Sequence, residues 1–390
     1  MIQSSDLLDS LLESSAADGY IQYASAADPD QRYLSGFGSV DPFTSLYADE
    51  TLFLLVRGLD KELAKTESDT TNVRIPAEYD RNALAERYEE GEVTARVIQR
   101  FCGEMDVATV LVPPQFPFGL AEHLRSLGIT VTVDEPATIP EIRAIKSPNE
   151  IEAICNAQKA TEAAMETVES LLRRSEVANG LLTLDGEFLT SEAIKTEIEL
   201  TLVKHGCQLS ETIVAGGKQG ANPHDRGSGP LPVNEPIVVD IFPQEKESKY
   251  HADMTRTFCV GEPTAEVSER YELTREAQEA AFSCIEPGVT GEEVHNAVCD
   301  VYEEAGFPTS RSNPGTSIGF THGTGHGVGL EIHEGPRVSN GGGVLEPGHV
   351  ITIEPGIYEP AVGGIRIEDL LVITTDGFEN LTTYPKDLVV

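Results

Sequence analysis

Residues 237–258 read IVVDIFPQEKESKYHADMTRTF. Two runs here, EPIVVDIFP (235–243) and HADMTRTFCV (251–260), have the apolar, β-branched character of strands. Asp240 stands between Val239 and Ile241, inside a run that reads as buried. A buried, unpaired carboxylate is costly, so such a group neutralises or finds a cation. If PQEKESK is a hairpin loop, Asp253 faces Asp240 across two antiparallel strands. Directly opposed residues have Cβ atoms about 4.5–5.5 Å apart, and like charges there are destabilising without a cation. The alternative is one loop aspartate and one surface aspartate, which the apolar flanks of Asp240 disfavour.

The same theme returns near the end of the chain. VITIEPGIY (350–358) and IRIEDLLVIT (365–374) read as strands, with Glu354 and Glu368 among apolar neighbours. Either glutamate could instead pair with an arginine such as Arg366. A charged residue therefore sits mid-strand in each of four strands. Two helices precede each strand pair. In the first half they are a helix opened by Ser147, Pro148 and Glu150, and SEAIKTEIELTLVKHG (191–206). Along the first of these, Ile151, Ile154, Cys155, Val168, Leu171 and Leu172 recur near helical spacing. In the second half they are AEVSERYELTREAQEAAFSCI (265–285) and GEEVHNAVCDVYEEAG (291–306), the latter opened by a Thr290–Glu293 capping box. This order implies an internal repeat. Before it, GYIQYAS, TLFLLVRG, VATVLVP and ITVTVDE read as strands, and residues 80–105 as a helix with a break near Gly91. That alternation predicts an α/β domain. TIPEIRAIKSPNE (138–150) marks the boundary, giving domains of 1–142 and 143–390.

Between the strand pairs lies HGTGHGVGLEIHE (322–334). Its three histidines suit a metal cage, proton carriers or core filler. Gly323, Gly325, Gly327 and Gly329 each cost a helix interior about 1 kcal/mol, so the spacing predicts extended chain. His322 and His326 then point the same way, and the glycines leave the backbone open to close approach. Four carboxylates with His326 form a ligand set for two divalent cations, Mn²⁺, Co²⁺ or Zn²⁺. Two such ions activate water against a carbonyl, so hydrolysis is the implied reaction.

Bulk properties narrow the class. The chain has 390 residues, 65 acidic against 28 basic, and a formal charge of −37. That excess argues against nucleic-acid or anionic-membrane binding. It reads either as a soluble acidic surface or, the favoured reading, as adaptation to molar salt, where the Debye length falls to about 3 Å. No apolar run approaches the roughly 18 residues of a membrane span. The start, MIQSSDLLDSLLESSAADGY, lacks a basic n-region, so a cytoplasmic protein is expected. The six cysteines show no C-x-x-C pair and read as free thiols.

The ordered set VVD, DMTRTF, HGTGHGVGLEIHE, TIEPG and GIRIED resembles the pita-bread metallopeptidases, and most closely their proline-specific branch, Xaa-Pro dipeptidase and aminopeptidase P. The motifs span residues 240–368, and the helical pattern extends the match to about 147–390. The resemblance implies a creatinase-like α/β N-terminal domain, then an α+β catalytic domain with an internal pseudo-twofold repeat. It implies Asp240, Asp253, His326, Glu354 and Glu368 as metal ligands, with Asp253 and Glu368 bridging two ions. Asp240 would hold one ion, and His326 with Glu354 the other. Mn or Co would be the preferred metal, with Zn possible. Glu354 would also move the proton. His224, in ANPHD, and His333 would touch the substrate or its tetrahedral intermediate. His322 would support the metal, with Arg337 and Arg366 as further substrate-binding or supporting residues. A peptide with proline after its N-terminal residue is the implied substrate, and a homodimer the implied assembly. Small-amide hydrolysis of the ectoine or creatine kind, or a non-catalytic interaction module, are the other functions that this scaffold carries. This chain departs from the family pattern at Phe242-Pro243, where glycine is usual at 242, and in the thirteen residues from Asp240 to Asp253. The departure bears on the pocket rim and the substrate more than on the metals.

Overall fold

The computed structural model describes residues 5–68, 70–209, 211–286 and 288–390. The chain divides into two compact units, one ending at Arg143 and one beginning at Ala144.

The first unit is built on a six-stranded sheet. Its strands are β1 (Gly19–Ala24), β2 (Phe43–Ala48), β3 (Thr51–Leu55), β4 (Val73–Arg74), β5 (Thr109–Val112) and β6 (Thr130–Val133). Their order is β4-β3-β2-β1-β5-β6. Strand alternation splits the apolar residues between two faces. Ile21, Leu46 and Val110 enter one core, while Tyr20, Tyr47 and Leu111 enter the other. The helical stretch over 80–105 is two helices, α1 (Arg81–Ala85) and α2 (Glu90–Glu104). The break lies ahead of Gly91, which sits in the first turn of α2. A glycine there costs little, because the first-turn N–H groups have no intrahelical partner anyway.

The second unit contains both halves of the repeat. Helix α3 (Pro148–Arg174) starts at a full capping box. Ser147 Oγ accepts from the Glu150 N–H, and the Glu150 carboxylate accepts from the Ser147 N–H. Its buried face runs through Ile154, Ala157, Ala160, Ala164, Val168 and Leu172. Alanines complete that face, and Ile151, Cys155 and Leu171 lie at its half-buried margin. With α4 (Ser191–Lys204) it covers a three-stranded antiparallel sheet of β7 (Thr212–Gly216), β8 (Ile237–Ile241) and β9 (Met254–Phe258). Then α5 (Ala265–Cys284) and α6 (Gly291–Glu304) cover a five-stranded sheet. Its strands are β10 (Gly325–Gly327), β11 (Glu334–Val338), β12 (Val350–Ile353), β15 (Asp369–Thr374) and β16 (Gly377–Asn380), in the order β11-β10-β12-β15-β16. A separate hairpin, β13 (Gly356–Glu359) with β14 (Gly363–Arg366), bridges β12 and β15 in sequence. Each half thus has its own helix pair, sheet and core. No described helix is long and apolar enough to cross a membrane.

Three expectations change. The hairpin register pairs Asp240 with Thr255, so Asp240 and Asp253 are diagonal rather than directly opposed. Only Asp240 lies within a strand. Asp253 precedes β9, Glu354 follows β12, and Glu368 separates β14 from β15. Strand ends splay apart, which is where space for a ligand opens. The glycines of 322–334 also do a different job. A Cβ at Gly325 would lie 1.9 Å from Thr352 O, and one at Gly327 2.0 Å from Gly335 O. They let β10 squeeze between its neighbours, so protein rather than substrate fills that space.

Candidate metal centre

A cavity of about 790 Å³ opens in the second unit, and Asp240, Asp253, His326, Glu354 and Glu368 all line it. Asp240 and His326 come from within strands, and Asp253, Glu354 and Glu368 from just beyond strand ends. One ligand atom each from Asp253, His326 and Glu368 lies within 4.8 Å of the others. His326 Nε2 is 3.7 Å from Asp253 Oδ2 and 3.7 Å from Glu354 Oε1.

The protons show what this cluster requires. His326 Nδ1 is 3.1 Å from Gly327 O, which can only accept, so Nδ1 carries the hydrogen. Burial, then the neighbouring His333, pushes the imidazole down to about 4, so it is neutral at pH 7. Its Nε2 lone pair therefore faces the Asp253 and Glu354 carboxyl groups. Burial first, then repulsion from Glu368 for Asp253 and from Glu354 for Glu368, holds both well above the usual carboxylate range. Burial likewise raises Glu354 to about 8. Asp240 Oδ1 and Asp253 Oδ1 are buried without a hydrogen-bond partner. Buried acceptors with nothing to accept from suit a cation as their partner. The residues fit divalent ions.

A hydrogen-bond chain surrounds the cage. Arg366 donates to Asp240 Oδ2 at 2.6 Å, Thr255 Oγ1 at 3.1 Å and Tyr358 Oη at 2.9 Å. Thr255 Oγ1 donates to Glu368 Oε2 at 2.7 Å. His322 Nδ1 must donate to Gly323 O at 2.7 Å, which leaves Nε2 to accept from Tyr358 Oη at 2.8 Å. Burial, then the Arg366 charge, keeps His322 neutral, down to about 3. Its Nδ1 lies 3.9 Å from Glu354 Oε2. The fully buried Tyr358 was not singled out in the sequence. Its signal was available, since a tyrosine inside an apolar strand brings a hydroxyl that needs partners.

The remaining sequence candidates line the same cavity. His333 packs edge-on against His326, with ring centroids 4.4 Å apart and planes at 90°. Burial, its first cause, lowers its pKa. His224 lies on an exposed loop at the rim, its backbone N–H donating to Asn222 Oδ1. Arg337 stands directly across from His326 on β11, exposed, with no ion-pair or hydrogen-bond partner among the described residues. Arg226, also at the rim, is paired with Glu211 at 2.5 Å. Sequence reasoning passed over that pair, which carries no motif. Phe242 lines the wall one row beyond Asp240.

Comparison with known proteins fits this geometry. The profile of Metallopeptidase family M24 matches residues 152–375, more than half of the chain. The Xaa-Pro dipeptidase of Pyrococcus horikoshii is 30% identical over 375 residues, covering 93% of both chains. The crystal structure of the prolidase from Pyrococcus horikoshii OT3 superposes with a TM-score of 0.78 at 27% identity, over 98% of this chain and 99% of that one. The X-Pro aminopeptidase from Thermotoga maritima MSB8 gives 0.79 at 27%, over 99% and 100%. The pita-bread resemblance drawn from five motifs is borne out. With buried carboxylates gathered around a neutral imidazole and matches that run this far along it, the chain belongs to metallopeptidase family M24.

Proposed function

We propose that this metallopeptidase hydrolyses Xaa-Pro peptide bonds using two divalent ions held by Asp240, Asp253, His326, Glu354 and Glu368. The observation that carries it is the neutral His326 lone pair aimed at buried carboxylates. In this reading Asp240, Asp253 and Glu368 would hold the ions together with His326 and Glu354. The bound ions supply Lewis acidity and acidify a water. The remaining work falls to the chain. Glu354 takes the proton from the attacking water and passes it to the proline nitrogen, which must be protonated to leave. His322, fixed by Tyr358 and Gly323, stands 3.9 Å from Glu354 and helps to shape the space beside it. His224 and His333 contact the substrate carbonyl as it becomes tetrahedral. Arg366 neutralises Asp240.

Specificity for proline is supported by the relatives named above. To the same proposal belong Mn²⁺ or Co²⁺ as the working metal, and a creatinase-like N-terminal domain over 1–142 before a catalytic domain over 143–390. A homodimer in a salt-rich cytoplasm completes it, the acidic excess being its support. The test compares Xaa-Pro dipeptides with Xaa-Pro-Yaa tripeptides in concentrated KCl, with and without Mn²⁺ and with a chelator. Metal-dependent cleavage is expected. No cleavage of either, in protein carrying two metals per chain, would sink the reading.

Arg337 makes the dipeptide the preferred substrate. In a chain this acidic, an arginine facing the cavity without a carboxylate partner is matched to a carboxylate of the ligand. A charge-assisted hydrogen bond is worth about 1.5–3 kcal/mol, or roughly 10- to 100-fold. Arg337→Met is therefore expected to lower kcat/KM by about that factor on dipeptides and much less on dipeptide amides. Equal losses on both would rule out carboxylate recognition by Arg337.

A further inference from the structure

We propose that Lys146 and Glu334 form a buried brace that positions the loop presenting His333 to the cavity. The inference rests on the reading of His333 as a substrate contact. The His333 ring makes no hydrogen bond to the protein among the described residues, so its place is set by packing on His326 and by the loop that carries it. That loop leaves β10 after Gly327 and returns at Glu334, which pairs with Gly327 at the start of β11. Ile332 and His333, both on it, line the cavity.

The Glu334 carboxylate is the centre on which the loop is folded. Its Oε2 accepts from the Glu331 N–H at 3.3 Å. Its Oε1 would lie 2.4 Å from a Cβ at Gly329, so a side chain there would push the carboxylate out of its place. Gly329 N–H in turn donates to Glu331 O at 3.0 Å, and Gly329 O accepts from the His251 N–H at 2.8 Å. Lys146 supplies the opposite charge, its Nζ 2.5 Å from Glu334 Oε1, with side-chain exposures of 0% and 6%. Lys146 is itself fixed, because Nζ donates to Ala144 O at 3.1 Å and its backbone N–H to Gly348 O at 2.9 Å. A buried ion pair of this kind adds little net stability but specifies one geometry, since breaking one side strands the other charge. The geometry matters here. A misplacement of about 1 Å can cost about 100-fold in rate, and loss of groups that support a site typically costs about 10- to 100-fold.

The test uses Lys146→Met and the double variant Lys146→Met/Glu334→Gln. The double variant removes both charges and stays informative if the single one fails to fold. The first readout is the His333 Cε1–H NMR signal, assigned by its loss in His333→Ala. It should move or broaden in the variants while those of His123 and His205 hold. A His333 signal unchanged from wild type overturns the brace. The second readout is kcat/KM on Xaa-Pro dipeptides at unchanged metal content. A loss of about 10- to 100-fold is expected. It should not deepen further when His333→Ala is added. Losses that multiply would place the effect elsewhere and also overturn it. Wild-type protein inactive on every Xaa-Pro peptide would instead overturn the functional reading, and the NMR signal would still decide the brace.

Discussion

Asp253→Asn is expected to lose activity by at least about 10³-fold, because the ions that stabilise the transition state are no longer held together. Bound metal should fall below two per chain. The fold should persist, and for a specific reason. Burial and the neighbouring Glu368, Asp240 and Glu354 make an ionised Asp253 unfavourable in the metal-free protein. An asparagine has the same shape without that charge. Metal-free Asp253→Asn should therefore melt at or above metal-free wild type at pH 8. With Mn²⁺ present the order should reverse, since metal stabilises only the state that binds it. Elemental analysis and paired melts with and without chelator would check both halves. A variant that keeps full activity would remove Asp253 from the ligand set. One that melts lower in both conditions would make the residue structural instead.

The proposed ligand set could be read in the sequence because burial and charge conflict so visibly in it. A carboxylate in VVDIF or IRIED has no cheap explanation, and four such conflicts in order are hard to produce by chance. What could not be read was register. Apolar patterning says which face Asp240 occupies but not which residue stands opposite, and the structure places Thr255 there. Thr255 then has the room to tie Arg366 to Glu368. The Lys146–Glu334 pair was opaque for a related reason. Its two members lie far apart along the chain, and a lone lysine carries no periodic signal. In the first unit, FTSLYA escaped notice as a strand because Thr44 and Ser45 are as buried as Leu46. A central strand covered on both faces loses the polar alternation that marks a half-exposed one. The glycines of 322–334 were legible as a demand for space, but not as to what fills it.

Binding of Mn²⁺ to the metal-free protein at pH 7 is expected to release protons, and the release should fall as pH rises to 9. Glu354 sits at about 8 without ions, so at pH 7 it is mostly neutral and must ionise to become a ligand. It alone should give up close to one proton at pH 7 and little at pH 9. Asp253 and Glu368, raised further by burial, add to the count at both values. His326, already neutral with its hydrogen on Nδ1, adds none. The same shifts set the sign for stability. A carboxyl whose folded pKa is raised keeps its proton in the native state while the unfolded chain has lost it. The native state then binds more protons, and stability falls as pH rises. For Glu354 that fall begins near the ordinary glutamate value of 4.5 and is complete just above 8. Metal-free protein in molar KCl, which screens the surface charge, should therefore melt lower at pH 9 than at pH 6. Glu354→Gln should flatten that slope, and saturating Mn²⁺ should abolish it. Titration calorimetry in buffers of different ionisation enthalpy gives the proton count directly. A count of zero at pH 7 would mean that the carboxylates are already ionised without metal, and that a cation other than the proposed pair balances them.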